Sequence, residues 1–180
     1  MEVALILAVV MVCVALIFDF TNGFNDSANQ VATVITSNAI HPALALTIAA
    51  FGNFIGAYFL GTAVAGTIGQ GIIDPRLFSS QGVGVLVVIS ALVGAIVWNF
   101  ITWRFGIPSS SSHALIGGLL GAFIAAWGFA PIKWFKVLLI IVVMIVSPVI
   151  GFVATYIFTR ITSGFSKWLT PSANNTFKKM

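Results

Sequence analysis

Charge is what this sequence has least of. Only 7% of its 180 residues are charged and 59% are apolar, whereas a soluble domain carries roughly a quarter of its residues as charges. With a mean hydropathy of +1.11, this excludes a water-soluble globular domain and defines an integral membrane protein. Cysteine is also scarce. Cys13 has no partner in the chain, so a disulfide framework is excluded, and its place within an apolar run marks it as a packing residue. The apolar run that begins at Val3 lacks a positively charged leader and is followed by polar residues rather than a small-residue cleavage site. The first helix is therefore expected to stay in the mature protein. Acidic residues are limited to Glu2, Asp19, Asp26 and Asp74.

Two of those four acids fall in one polar stretch, Asp19 to Gln30, together with the amides Asn22, Asn25, Asn29 and Gln30. Polar groups at membrane depth are costly unless they face a polar lumen, an ion or a substrate, so the interruption reads as a site. Val3 to Phe18 gives about 24 Å of helix, short of a hydrocarbon core about 30 Å thick. The polar stretch must then be carried at membrane depth before Val31 to Ile35 completes the crossing, and Gly23 favours a break in the helix there.

Four further apolar runs follow: Ala43 to Gly66, Gly82 to Trp103, Ala114 to Ala130 and Val137 to Phe158, of 24, 22, 17 and 22 residues. Turn-rich joints separate them, including Ser37 to Pro42, Gly71 to Arg76, Arg104 to Pro108 and Pro131 to Lys133. The expected fold is all-α: a polytopic membrane protein of about five crossing units with broken or re-entrant helices, forming one transmembrane domain over 1–180. Alternating joints put Arg76, Lys133 and Lys136 on one side and Arg104, Arg160, Lys167, Lys178 and Lys179 on the other. The more basic side is expected to be cytoplasmic, with the N-terminus outside. Trp98, Trp103, Trp127, Trp134 and Trp168 lie near span ends, where interfacial aromatics belong.

A second polar cluster, Pro108-Ser109-Ser110-Ser111-Ser112-His113, opens the fourth run. Proline in a first turn and serine at an N-cap mark a helix start, whose free N–H groups, dipole and hydroxyls attract an oxyanion. His113 could relay protons or donate to a phosphate-like group. Asn25, Asp26 and Asn29 suit a small cation instead, through carboxylate and amide oxygens together with carbonyls freed in an unwound helix. Asp19 is a weaker candidate, close to the interface. Asp26 could also accept a hydrogen bond from an oxyanion that carries a proton. His41 reads as a loop residue, and Asn53 and Asn99 as interhelical hydrogen-bonding groups that could also line the cavity. Gly52/Gly56 and Gly117/Gly121 have the spacing of close helix contacts, and Ser147-Pro148 should kink the last span.

The two clusters together resemble the inorganic phosphate transporter family. Its repeated motif, Gly-Ala-Asn-Asp-Val-Ala-Asn, matches Gly23-Phe24-Asn25-Asp26-Ser27-Ala28-Asn29 at five of seven positions. Pro108 to His113 resembles that family's Pro-(Val/Ile/Ser)-Ser-(Ser/Thr)-(Ser/Thr)-His element. The resemblance implies a secondary transporter, not an enzyme, that moves inorganic phosphate with sodium or protons through two inverted halves. This chain resembles the N-terminal half, with 163–180 as a cytoplasmic connector. Ser109 to Ser112, His113 and Asn25 would hold phosphate. Asp26, Asn25, Asn29 and Asp19 would serve the coupling ion, with Asp26 and Asn29 as ligands if it is Na+. No cofactor is implied beyond that Na+ or H+. The expected partners are phosphate, a second half, membrane lipid and further copies of the chain in a homo-oligomer, with no nucleic acid; the expected location is the plasma membrane. The competing readings are an oligomeric ion-channel subunit, a sulfate-type oxyanion permease of the same fold, and a half that inserts without transporting.

Overall fold

A computed structural model of the protein describes residues 2–72 and 83–166. The joint around Asp74 and Arg76, and the tail with Lys167, Trp168, Lys178 and Lys179, lie outside the described residues. Five helices follow one another: α1 (Glu2–Thr36), α2 (Pro42–Gly71), α3 (Val83–Arg104), α4 (Ser111–Trp127) and α5 (Trp134–Ser166). No strand occurs among the described residues. Four of the helices are long and apolar enough to cross a membrane, while α4, at 17 residues, is shorter.

Each helix end has a local cause. Asn38, in the left-handed region at φ 52°, closes α1, and the Ala39 N–H reaches back to the Val34 carbonyl at 3.3 Å; asparagine tolerates this conformation better than most residues. Pro42 starts α2, and the His41 ring nitrogen Nδ1 accepts from the Ala43 N–H at 3.3 Å. His41 is thus a helix cap rather than a plain loop residue. At the end of α3, Gly106 has φ 63°, and the Ile107 N–H bonds the Thr102 carbonyl at 2.9 Å. This Schellman-type reversal turns the following residues back over the last turn of α3.

Helix α1 runs unbroken through Gly23, contrary to the break expected there. One glycine costs a helix only about 1 kcal/mol, too little to interrupt a 35-residue helix. Two of the polar side chains are satisfied by their own helix: Thr21 Oγ1 donates to the Phe18 carbonyl at 2.9 Å and Ser27 Oγ to the Phe24 carbonyl at 3.2 Å. The carbonyls expected to be freed in an unwound segment therefore stay within the helix. Helix α5 has Pro148 within it.

The core lies where α1, α3 and α4 meet. Phe18, Leu92, Ala95 and Ala114 form one buried cluster, flanked by Val14, Ala15 and Val88. Phe18 shares this cluster with Leu92 and, further along, Asn25 meets Asn99 and Phe24 meets Trp103, so α1 and α3 run parallel, whereas α4 returns antiparallel to α3, with Ser109 at Thr102 and Gly118 at Ala91. The α3–α4 crossing is close enough that a Cβ added to Gly118 would collide with the Ala91 carbonyl oxygen, and Ala91 and Ala95 are fully buried. By contrast, Gly52, Gly56, Gly117 and Gly121 have open space where a Cβ would stand, so the contact expected from their spacing is not made among the described residues. Cys13 is exposed rather than packed, because its neighbours Val14 and Ala15 take the face toward α3.

Helix α5 is anchored at its start. Val137 joins a second cluster with Ile72, Val87, Phe123 and Ile132, against which Ile140 packs, and the Lys133 N–H bonds the Ile72 carbonyl at 3.0 Å. Beyond that turn, large apolar side chains such as Ile150, Phe152 and Phe158 are exposed. Surface of this kind needs lipid or protein against it.

Gly118→Ala should lower stability by about 1–3 kcal/mol through overpacking. Gly117→Ala, one residue along, should be neutral or stabilising by up to about 1 kcal/mol. Unfolding of both variants in detergent, followed against the unmodified chain, checks the pair.

Candidate functional site

In a continuous helix, residues spaced by three and four lie on one face. Asp19, Asn22, Asp26 and Asn29 follow that spacing and make a polar stripe along α1, with Asn25 beside it. The C-terminal part of α3 and the start of α4 meet this side of α1 through two polar contacts, and a third ties α3 to the loop before α4. Asn25 Nδ2 donates to the Asn99 carbonyl at 3.3 Å, and Ser111 Oγ donates to Asp26 Oδ2 at 3.3 Å. The hydroxyls of Thr102 and Ser109 lie 2.9 Å apart. The two polar clusters, 85 residues apart at the Ser111–Asp26 contact, are therefore neighbours in space.

Beside these contacts lies an open cavity of about 500 Å³, whose wall includes Asn25, Asn29, Leu46, Thr102, Trp103 and Ser109. Its polar edge comes from α1 and from the return loop after Gly106; its apolar edge comes from α2 and the aromatic pair Phe24 and Trp103, in edge contact at 5.7 Å. A smaller apolar recess of about 220 Å³ adjoins it between Phe20, Phe24, Asn99 and Trp103.

The serine tract divides by position. Ser109 is half-buried on the cavity wall, and Ser111 is half-buried against Asp26. Ser110 occupies the N-cap of α4 in extended conformation without a side-chain cap bond. The first intrahelical bond of α4 runs from the Ala114 N–H to the Ser110 carbonyl at 3.0 Å. The N–H groups of Ser111, Ser112 and His113 precede it and point out of the helix start. Ser110, Ser112 and His113 are exposed, as are Asn29 and Asp19. Asp19 stands two turns before Asp26 and is not on the cavity wall. The serines are not stranded at the end of the bundle, since α1 continues for about 15 Å beyond Asp26 through Val31, Val34 and Ile35.

Several participants were not singled out from the sequence. Thr102, 1% exposed, looks in sequence like any span threonine satisfied by its own helix. Asn22 was visible only as one amide among four; its Oδ1 is buried without a partner, as is Asn99 Nδ2. Asn99 helps to join the helices, but through its main-chain carbonyl. Asn53 does so through its side chain, exchanging two bonds with Gln30 at 3.4 and 3.2 Å. It is not on the cavity wall.

Apolar helices of membrane length around a site of one carboxylate, amides, hydroxyls and a helix start define a multi-pass membrane protein with a polar site inside its bundle. The sequence profile of the Phosphate transporter family matches residues 22–179. The chain is 47% identical over 96% of its length to a "Probable low-affinity inorganic phosphate transporter" of Rhizobium meliloti, covering 50% of that protein. It is 47% identical over 87% of its length to a Bacillus subtilis protein of the same description, covering 46% of it. A solved structure, "The sodium-dependent phosphate transporter", superimposes with a TM-score of 0.78 at 30% identity over 87% of this chain and 39% of that one. The chain belongs to the phosphate transporter family. Its relatives are transporters and not enzymes, and it spans about half the length of the curated relatives it matches.

The Gln30–Asn53 pair joins α1 to α2 on an exposed face. A double-mutant cycle with leucine at each position should give a coupling of about 0.6–1.7 kcal/mol, the range of such bonds in membrane helices. Unfolding midpoints of the four proteins in detergent measure it.

Proposed function

We propose that the chain forms one half of a secondary transporter that moves inorganic phosphate together with Na+ or H+. The observation that carries this reading is the Ser111–Asp26 contact, which puts an oxyanion-attracting helix start beside the carboxylate of the other motif. Phosphate would meet the N–H groups at the start of α4, the hydroxyls of Ser109 to Ser112, His113 and Asn25. The coupling ion would be held by Asp26, Asn25 and Asn29, with Asp19 two turns away along the stripe. If that ion is Na+, Asp26 and Asn29 supply its oxygen ligands from side chains, because α1 is not unwound.

The exposed Ser110, Ser112 and His113 are the groups that a second, inverted half would cover. An odd number of crossings per half suits such a repeat, as does the chain's span of about half its relatives' length. The exposed apolar faces of α1, α2 and α5 would then meet that half, further copies of the chain in a homo-oligomer, and lipid. In the plasma membrane, the excess of Lys and Arg on the side of Arg104 and the tail favours a cytoplasmic C-terminus and an outside N-terminus.

The test is gradient-driven accumulation of phosphate in proteoliposomes holding the assembled transporter. Uptake should rise with an inward Na+ or H+ gradient and exceed equilibration. Asp26→Asn should lower ion-driven uptake by about 10- to 100-fold, the scale of losing an interaction of about 1.5–3 kcal/mol to a charged group. Passive phosphate flux that ignores both gradients would instead establish a channel.

A further inference from the structure

The hydrogen-bond geometry around Thr102 fixes the direction in which Ser109 can act. Thr102 is 1% exposed, and its hydroxyl oxygen lies 3.0 Å from the Trp98 carbonyl, 3.0 Å from the Asn99 carbonyl and 2.9 Å from Ser109 Oγ. A threonine hydroxyl has one hydrogen and two lone pairs. Aimed at Ser109, that hydrogen would leave two oxygens facing the Thr102 lone pairs at contact distance, around a buried side chain where such repulsion is little screened. Shared between the two carbonyls, as helical threonines commonly arrange it, the hydrogen leaves a lone pair that only the Ser109 O–H can fill. Ser109 is then the donor of the 2.9 Å contact, and its oxygen turns lone pairs toward the cavity whose wall it forms.

We propose that Thr102 holds Ser109 as a hydrogen-bond acceptor facing the cavity, and that this acceptor selects oxyanions carrying a proton over those that carry none. The inference rests on the reading of the serine tract and Asn25 as the phosphate site, of which Ser109 and Asn25 stand on the cavity wall, and refines it by making one serine of the tract an acceptor rather than a donor. Hydrogen phosphate and arsenate offer an O–H to the Ser109 oxygen. Sulfate presents only acceptor oxygens there and meets lone pairs with lone pairs. Ser111 is committed in the same sense, since its hydrogen goes to Asp26. Donors to the anion are then left to the N–H groups at the start of α4, the hydroxyls of Ser110 and Ser112, His113 and the second Asn25 amide hydrogen. A site with a fixed acceptor rejects an analogue that lacks the matching hydrogen, because both oxygens lose solvation and gain no bond. Ser109 contacts the substrate in this account, and Thr102 is a positioning residue.

The experiment compares phosphate uptake and its inhibition by sulfate in proteoliposomes holding the assembled transporter. The quantity read is the ratio of the sulfate inhibition constant to the phosphate KM. Ser109→Ala should lower that ratio about tenfold, the scale of one hydrogen bond, by weakening phosphate while easing sulfate. If Ser109 is a donor, both anions weaken together and the ratio stands, which overturns the inference. A change in Na+ or H+ dependence with the ratio kept also overturns it, by making Ser109 an ion ligand. Thr102→Val frees the Ser109 hydrogen and should lower the ratio as well, whereas Thr102→Ser, which keeps the hydroxyl, should restore it. Should Thr102→Val fail to fold, the Ser109 variant alone decides. Absence of phosphate binding and uptake in the unmodified protein would overturn the transport reading along with this one; phosphate transport with an unmoved ratio overturns this one only.

Discussion

The polar site depends on the last turn of α3. An apolar bundle offers side chains few partners, and each buried polar group left without one costs about 1–3 kcal/mol. That turn supplies the Asn99 carbonyl for Asn25 and the Thr102 hydroxyl for Ser109, so both polar clusters are referred to one rigid frame. The reversal at Gly106 is what makes this possible. With its φ of 63°, the chain turns back over Thr102 instead of continuing outward, and α4 starts level with Asp26. A residue with a Cβ would be strained in that conformation. The close approach of Gly118 to Ala91 then holds α4 against α3 at the depth the reversal has set.

Much of the architecture could be read from the chain because uncharged runs of spanning length have few alternatives. The start of α4 was also legible from its serines, although the N-cap is Ser110 and Pro108 lies two residues before it rather than in the first turn. The continuity of α1 was not. Asp19 to Gln30 contains glycine and amides that disfavour a helix one by one, but Thr21 and Ser27 satisfy themselves on helix carbonyls while Asn25 and Asp26 find partners on α3 and α4. Tertiary contacts outweigh local preference at such a place. Glycine spacing misled for another reason. Gly117 and Gly121 share one face of α4 while Gly118, which meets Ala91, stands about 100° round the helix from Gly117, and which side meets α3 is set by the rotation of the whole helix, a quantity that no local pattern contains. Thr102 was hidden because its significance lies in the residue folded over it, seven positions later.

If phosphate binds beside Asp26 as proposed, electrostatics gives the proposed ion coupling a physical reason. Among the groups that contact one another across the site, Asp26 is the one bearing formal charge. The anion is met otherwise by neutral donors and a helix start. Two like unit charges about 6 Å apart repel by about 3 kcal/mol at an effective dielectric of about 20. The attraction of a helix N-terminus for an anion is about 0.3–2 kcal/mol. The dipole alone therefore leaves a deficit, which grows if phosphate binds as the dianion. A sodium ion or proton on Asp26 removes the repulsion at its source, and in the sodium case replaces it with attraction. Occupancy by anion and cation is thereby mutually favourable, as linkage demands of two ligands sharing one pocket. Using a carboxylate in place of a fixed lysine or arginine gives up anion affinity in the absence of the ion. In return, on the proposed reading, the anion would be held tightly only when its driving ion is present.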